Sequence, residues 1–144
     1  MRRSEQRRAA VVALYQHGLT GQSLDDALGS AAHPFTRALA HAALERGPEL
    51  DALIERHSEH WALERIAPLE RSIMRVALVE MLDPHAVPAE VAIPPEGAID
   101  EAVQTAKVFC SADAPGFVNG ILAAVLRELR DNGAERRDSP ASAR

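Results

Sequence analysis

The stretch PLERSIMRVALVEML, residues 68–82, constrains the fold more than any other. Pro68 suits the first position of a helix, where its missing N–H leaves no bond unmade. Leu69, Ile73, Val76, Ala77, Glu80 and Met81 then fall on one stripe at helical spacing. Asp83-Pro84 stops the run. A strand alternates its faces every two residues, so this pattern cannot be laid into a sheet without scattering its apolar side chains. No other segment shows sustained period-two alternation. Aromatic residues are only 3% of the chain, so the core must be built from Ala, Val, Leu and Ile, which suits close-packed helices. At 144 residues one domain with a full hydrophobic core is expected. The predicted class is all-α.

The other elements follow from their punctuation. Ser4 is placed to cap a first helix that runs to about His17 and stops at Gly18. Ser23, with Asp26 three residues on, starts a short second helix that Gly29 ends. Pro34 opens a third, carrying Phe35, Leu39, Ala42 and Ala43. Gly47-Pro48 should break or kink it before Leu50, Leu53, Ile54 and His57 resume the pattern. Trp61 to Ala67 reads as a connector, and residues 84–97 read as an extended one because they hold four prolines and a glycine. A helix over Ala98–Phe109 is predicted, then a turn at Asp113–Gly116, then a last helix over Phe117–Arg130. This makes about six to seven helices in a domain over residues 1–130. Residues 131–144 read as a disordered polar tail.

Several chemistries are excluded. The one cysteine, Cys110, allows neither an intrachain disulfide nor a cysteine-based zinc site, which fits a reducing cytoplasm. No apolar run is long enough to span a membrane, and no apolar segment of a secretory signal follows the first arginines. There is no GxSxG, no phosphate-binding glycine loop and no CxxC. His57, His60 and Glu64 have near-helical spacing but lack the HExxH pattern, so they read as surface residues. No enzyme, metal or cofactor is predicted.

Charge is distributed unevenly. The net charge is -5, yet Arg2, Arg3, Arg7 and Arg8 stand within the first eight residues, with Glu5 the one acid among them. Arg3 and Arg7 share a helical face, and Arg8 and Tyr15 lie seven apart on one stripe. Arginine forks pair well with phosphate, and an exposed tyrosine stacks on unpaired bases. A short RNA-binding stripe is one reading; a solvated terminus with Tyr15 in the core is the other. Asn119-Gly120 is unusual near a helix start, since both are poor helix formers. Gly120 would allow close approach of another helix, and Asn119 would satisfy backbone groups.

These pieces, in this order, resemble the NusB family of bacterial transcription antitermination factors. The matching stretches are RRAAVVALYQ, PFTRALAHAALE, ELDALI, WALERI, LERSIMRVALVEML and VP-A-E-VAI. The most specific is IDEAVQTAKVFCSADAPGFVNGIL, which is similar to the family's NEAV…AK…FVNG signature. The resemblance covers about residues 4–129. It implies two packed three-helix halves that bind the boxA element of ribosomal RNA operons, with no catalysis. It also implies a partner, the small-subunit ribosomal protein that doubles as NusE, and a place in the RNA polymerase antitermination complex with other Nus factors. The family also admits homodimers that hide the RNA face.

Carried onto this chain, the RNA face comprises Arg2, Arg3, Arg7, Arg8, Tyr15 and Gln16. The Asp113–Phe117 turn lies beside it, with Phe117 stacking on a base and Asn119 ordering the turn. Glu70 and Glu80, around the LERSIMRVALVE helix, would meet the NusE-like partner's basic residues. The chain departs from the family pattern where PPEGAI precedes the signature helix, which implies a longer loop. Asp100 replaces the usual asparagine, and the DAPG turn lacks a basic residue that would contact phosphate. Two alternatives stand beside this reading. One is the RNA-targeting module of an RNA cytosine methyltransferase, which would need a downstream domain. The other is a protein scaffold without RNA affinity.

Overall fold

α5, Pro68–Leu82, is the axis of the molecule: Ser72, Ile73, Met74 and every residue from Val76 to Met81 are buried. In the computed structural model, which describes residues 2–58, 63–89 and 91–138, with the backbone alone at 64 and 134–138, six further helices surround it. They are α1 (Arg3–Thr20), α2 (Leu24–Leu28), α3 (Pro34–Glu45), α4 (Gly47–His57), α6 (Pro95–Phe109) and α7 (Ala114–Asp138), with a 3-10 turn at Leu63–Arg65. No strand occurs among the described residues. α1, α2 and α3 pack on one another, α6 packs on α7, and α1, α3, α4, α6 and α7 all reach α5. The reason is legible in MRVALVEML: a helix that is apolar nearly all round has to sit in the middle. α5 is therefore not the one-sided helix that its stripe suggested, and it offers little surface to a partner.

Phe35, Leu39, Leu50, Ile54, Met74, Leu78 and Leu122 are fully enclosed and form the shared core. Truncating Phe35 to Ala would cost about 3–5 kcal/mol. α4 is tied to α5 by a forked ion pair in which Arg75 donates to Asp51, its Nε to Oδ1 at 2.7 Å. Gly47-Pro48 separates two helices as its sequence suggests, with Arg46 closing α3 and opening α4.

Five helix boundaries differ from the sequence reading. α1 passes through Gly18 and ends at Gly21, whose φ of 75° places it in the left-handed conformation. The Gly21 N–H donates to the His17 carbonyl at 3.1 Å. An exposed interior glycine costs a helix only about 1 kcal/mol, whereas the left-handed closing position favours glycine strongly. Ser4 does not cap α1; Arg2 occupies that position without a side-chain bond.

At the other end of the chain, PPEGAI is not a longer loop. Pro95 starts α6, so the segment adds a first turn to the signature helix. Gly97 permits it, because a Cβ there would stand 2.9 Å from Ile93 Cγ1. α7 begins inside the expected turn, at Ala114, with Pro115 in its first turn, and continues past Arg130 to Asp138. Residues 59–62, with His60 and Trp61, and residues 139–144 lie outside the described part, as does the Glu64 side chain.

Candidate nucleic-acid interface

α1 and α6 run side by side in one direction, and both run opposite to α5. Arg7 of α1 meets Glu80 near the end of α5, and Val11 lies over Ile73, Val76 and Ala77. Ala98, Glu101, Ala102 and Thr105 of α6 line the same cleft. The result is a shallow, nearly filled crevice of about 10 Å³ between α1 and α6, floored by α5, so a ligand would lie over this groove and not inside it.

One end of the groove is sealed. Arg7 Nε donates to Glu80 Oε1 at 2.7 Å and Nη2 donates to Oε2 at 3.0 Å. Arg7 Nη1 is also 3.8 Å from Glu101 Oε1, to which the Ser4 hydroxyl donates at 2.9 Å. The Arg7 and Glu80 side chains are only 12% and 8% exposed, so each spends its charge on the other. This corrects two assignments. Arg7 is not an open phosphate contact, and Glu80 presents no carboxylate to a partner protein. Sequence spacing could not reveal this, because the two are 73 positions apart and meet only when α1 lies across α5.

The remaining arginines differ in exposure. The Arg2 side chain is 86% exposed and only loosely paired to Glu5, at 3.6 Å. The Arg3 guanidinium is held over the Phe35 ring, 4.1 Å from its centroid, and donates to Gln6 Oε1 at 2.5 Å. Arg8 is half-buried, and its Nε has no hydrogen-bond partner among the described residues.

The other end of the groove is open. Positions 4, 8, 11 and 15 of α1 form a heptad-like stripe; Ser4 meets α6 and Val11 lines the groove, and Arg8 and half-buried Tyr15 fall on the same stripe. Along α6, Phe109 continues the row of Ala102 and Thr105, and Val108 continues the row of Glu101. Phe109 is 41% exposed and Val108 57%, an apolar surface that no neighbouring helix covers. The sequence reading missed both residues. The available signal was Val108, an apolar residue out of phase with the inward stripe of Ile99, Ala102, Val103 and Ala106. Gln16 is exposed on α1.

The Asp113–Phe117 turn does not lie beside the arginines. It borders a small cleft of about 190 Å³ with Arg65, Ile66, Glu70 and Ser111, near the start of α5. Glu70 and Glu80 are ten residues apart on α5, about 15 Å along its axis. The arginine end and the turn therefore sit at opposite ends of that helix, with Tyr15 and Gln16 toward the turn. Phe117 is half-buried and Asp113 exposed. Burial pushes the Glu70 carboxyl above its ordinary range. The Cys110 thiol is raised by burial and then by the Glu70 charge.

Asn119 is exposed in α7, five residues after its first residue, so it does not order the turn. Gly120 is not at a close approach either, since a Cβ there would meet nothing within 4 Å. No group of three or more potential metal-ligating side chains occurs among the described residues. No helix there is long and apolar enough to cross a membrane.

Taken together, the fold and the groove define a helical binding module whose chemistry lies along one pair of parallel helices. The sequence profile of the NusB family matches residues 4–127, and the chain belongs to that family. The transcription antitermination protein NusB of Symbiobacterium thermophilum is 33% identical, over 90% of this chain and 92% of its own length. The crystal structure of T. maritima NusB is 31% identical and superimposes with a TM-score of 0.73, covering 89% of this chain and 92% of its own. A structure of antitermination factors NusB and NusE in complex with double-stranded RNA shares the fold, with a TM-score of 0.70 at 23% identity, covering 89% of this chain and 99% of that one.

Proposed function

We propose that this chain is a transcription antitermination factor. It binds boxA-type single-stranded RNA of ribosomal RNA operons together with a NusE-like ribosomal protein, and so joins the RNA polymerase antitermination complex in the cytoplasm. It acts by binding, without a chemical step. The curated relative carries the antitermination name, and a fold neighbour was solved with NusE and RNA. The observation that carries the reading is the α1–α6 groove. Arg2 lies at the start of α1 and Arg8 in its first turns, half-buried Tyr15 lies further along it, and exposed Phe109 ends α6. Arginines hold phosphates, and aromatic faces hold unpaired bases, which is the requirement for a single strand.

Phe117 and Asp113, at the separate cleft that starts α7, are a second RNA-contacting element in this reading. Glu70 is the acidic residue that remains available to a basic partner once Glu80 is committed to Arg7. The acidic remainder of the molecule suits a basic ribosomal protein and discourages indiscriminate nucleic-acid binding.

The test is fluorescence anisotropy of a labelled boxA-like RNA against a scrambled control, at several salt concentrations, with and without the NusE-like protein. Sequence-dependent binding that the partner strengthens supports the reading. Its log-log salt slope should be about -0.7 for each phosphate contact. Equal affinity for both RNAs with the partner present would leave a protein scaffold as the better description.

A further inference from the structure

We propose that a second RNA subsite lies around the N-terminal end of α1 from the groove, in a notch between Arg3, His33 and Pro88, where it holds one phosphate-bearing nucleotide flanking the main segment. This rests on the RNA-binding reading above and extends the path of the strand.

The notch is an open cleft of about 350 Å³ lined by Arg3, His33, Pro34, Phe35, Pro88 and Ala89. Two of these residues carry donors, and both are held in place. The Arg3 guanidinium lies 4.1 Å over the Phe35 ring and is anchored by its bond to Gln6. Phe35 is only 2% exposed, so its ring is a fixed platform. Arg3 is itself exposed, which leaves the outer face of its guanidinium plane toward solvent. Nucleobases stack on such planes.

His33 is held by a different device. It caps α3, and its Nδ1 accepts the Phe35 backbone N–H at 3.0 Å. In the neutral ring the proton is then on Nε2, which leaves a ring donor on a residue that is exposed. Pro34, Pro88 and Ala89 supply an uncharged wall, and no acidic side chain is among the described lining residues. A stackable guanidinium, a ring N–H and an uncharged wall match a nucleotide. Arg2, next to Arg3 in sequence, is exposed at the tip of α1.

The test uses the full chain and two labelled boxA-like RNAs, one minimal and one with four extra nucleotides at each end, at one salt concentration. His33→Asp keeps a capping oxygen but places a negative charge in the notch; His33→Asn keeps the cap and the neutrality but removes the ring donor. His33→Asp should weaken the long RNA about tenfold, the scale of one charged hydrogen bond, and leave the short RNA unchanged. His33→Asn should show a smaller loss of the same selectivity, and thermal melting should show both variants folded. Wild-type affinity of His33→Asp for both RNAs would overturn the subsite. So would an equal loss on both, which would mean a general effect. Failure of the wild type to bind either RNA would overturn the parent reading as well. A nucleoside monophosphate that binds the wild type alone but does not compete with the long RNA would reassign the notch to a free nucleotide, and also overturn the proposal.

Discussion

The two ends of α5 carry the same kind of residue in opposite circumstances. Glu80 is buried and both of its oxygens are taken by Arg7. Glu70 stands at an open cleft, and its carboxyl is raised by burial alone. The first end is a rivet: its charges are cancelled inside the protein, and their work is to hold α1 and α6 over α5. The second end keeps polar groups in reach of a visitor. Equal formal charges on one helix thus do different jobs, because one meets an arginine across the fold and the other does not.

The sharpest way to break this contrast is at the rivet. Arg7→Ala would leave Glu80 buried without its counter-charge, and should cost about 3–5 kcal/mol in urea unfolding. The double replacement Arg7→Met with Glu80→Leu should recover most of that, because a packed apolar pair avoids the desolvation. A loss below about 1 kcal/mol in the single variant would show that the pair does not hold the helices.

At the open end of the groove the expected loss is in binding. Phe109→Ala should weaken boxA-like RNA by about 1–3 kcal/mol in anisotropy titrations, the scale of one base stack. Because Phe109 is 41% exposed, melting should change far less than for Arg7→Ala. If RNA affinity holds and stability falls instead, Phe109 belongs to the core.

Arg8→Ala comes next. It should lower the magnitude of the log-log salt slope by about 0.7, one phosphate contact. An unchanged slope would remove Arg8 from the RNA path.

The smallest effect concerns pH at Glu70. Its raised pKa means that the folded state keeps this proton to higher pH than the unfolded chain. The group's contribution is therefore most favourable at low pH and declines as pH rises from the ordinary value of 4.5 through the folded-state value. Glu70→Gln should raise the melting temperature slightly at pH 7 and not at pH 3. A rise of equal size at both pH values would contradict the burial of the carboxyl.

Much of the fold was legible in the sequence. The all-α class followed from the 3.6-residue period and the lack of alternation, and Gly47-Pro48 marked a true helix junction. Helix ends were less legible where two residues competed for one role. Gly18 and Gly21 look alike in a list, but only Gly21 has the left-handed conformation. PPEGAI looks like a loop by its prolines, yet Pro95 fits a first helical turn and Gly97 clears Ile93.

The site was legible in part. Residue type and local spacing picked out the basic start of α1 and Tyr15 on the Arg8 stripe, because those are properties of one helix. They could not show that Arg7 is spent on Glu80, since that pairing spans 73 positions and two helices. Nor could they show that Phe109, at the end of a helix whose inward stripe looks complete, stands exposed. By itself the sequence determined the helices, their apolar faces and the clustering of positive charge, all of which are local periodicities. Only the tertiary structure decided which charges face each other and which face water. Burial and pairing depend on how helices distant in sequence cross, and that geometry is a property of the packed core.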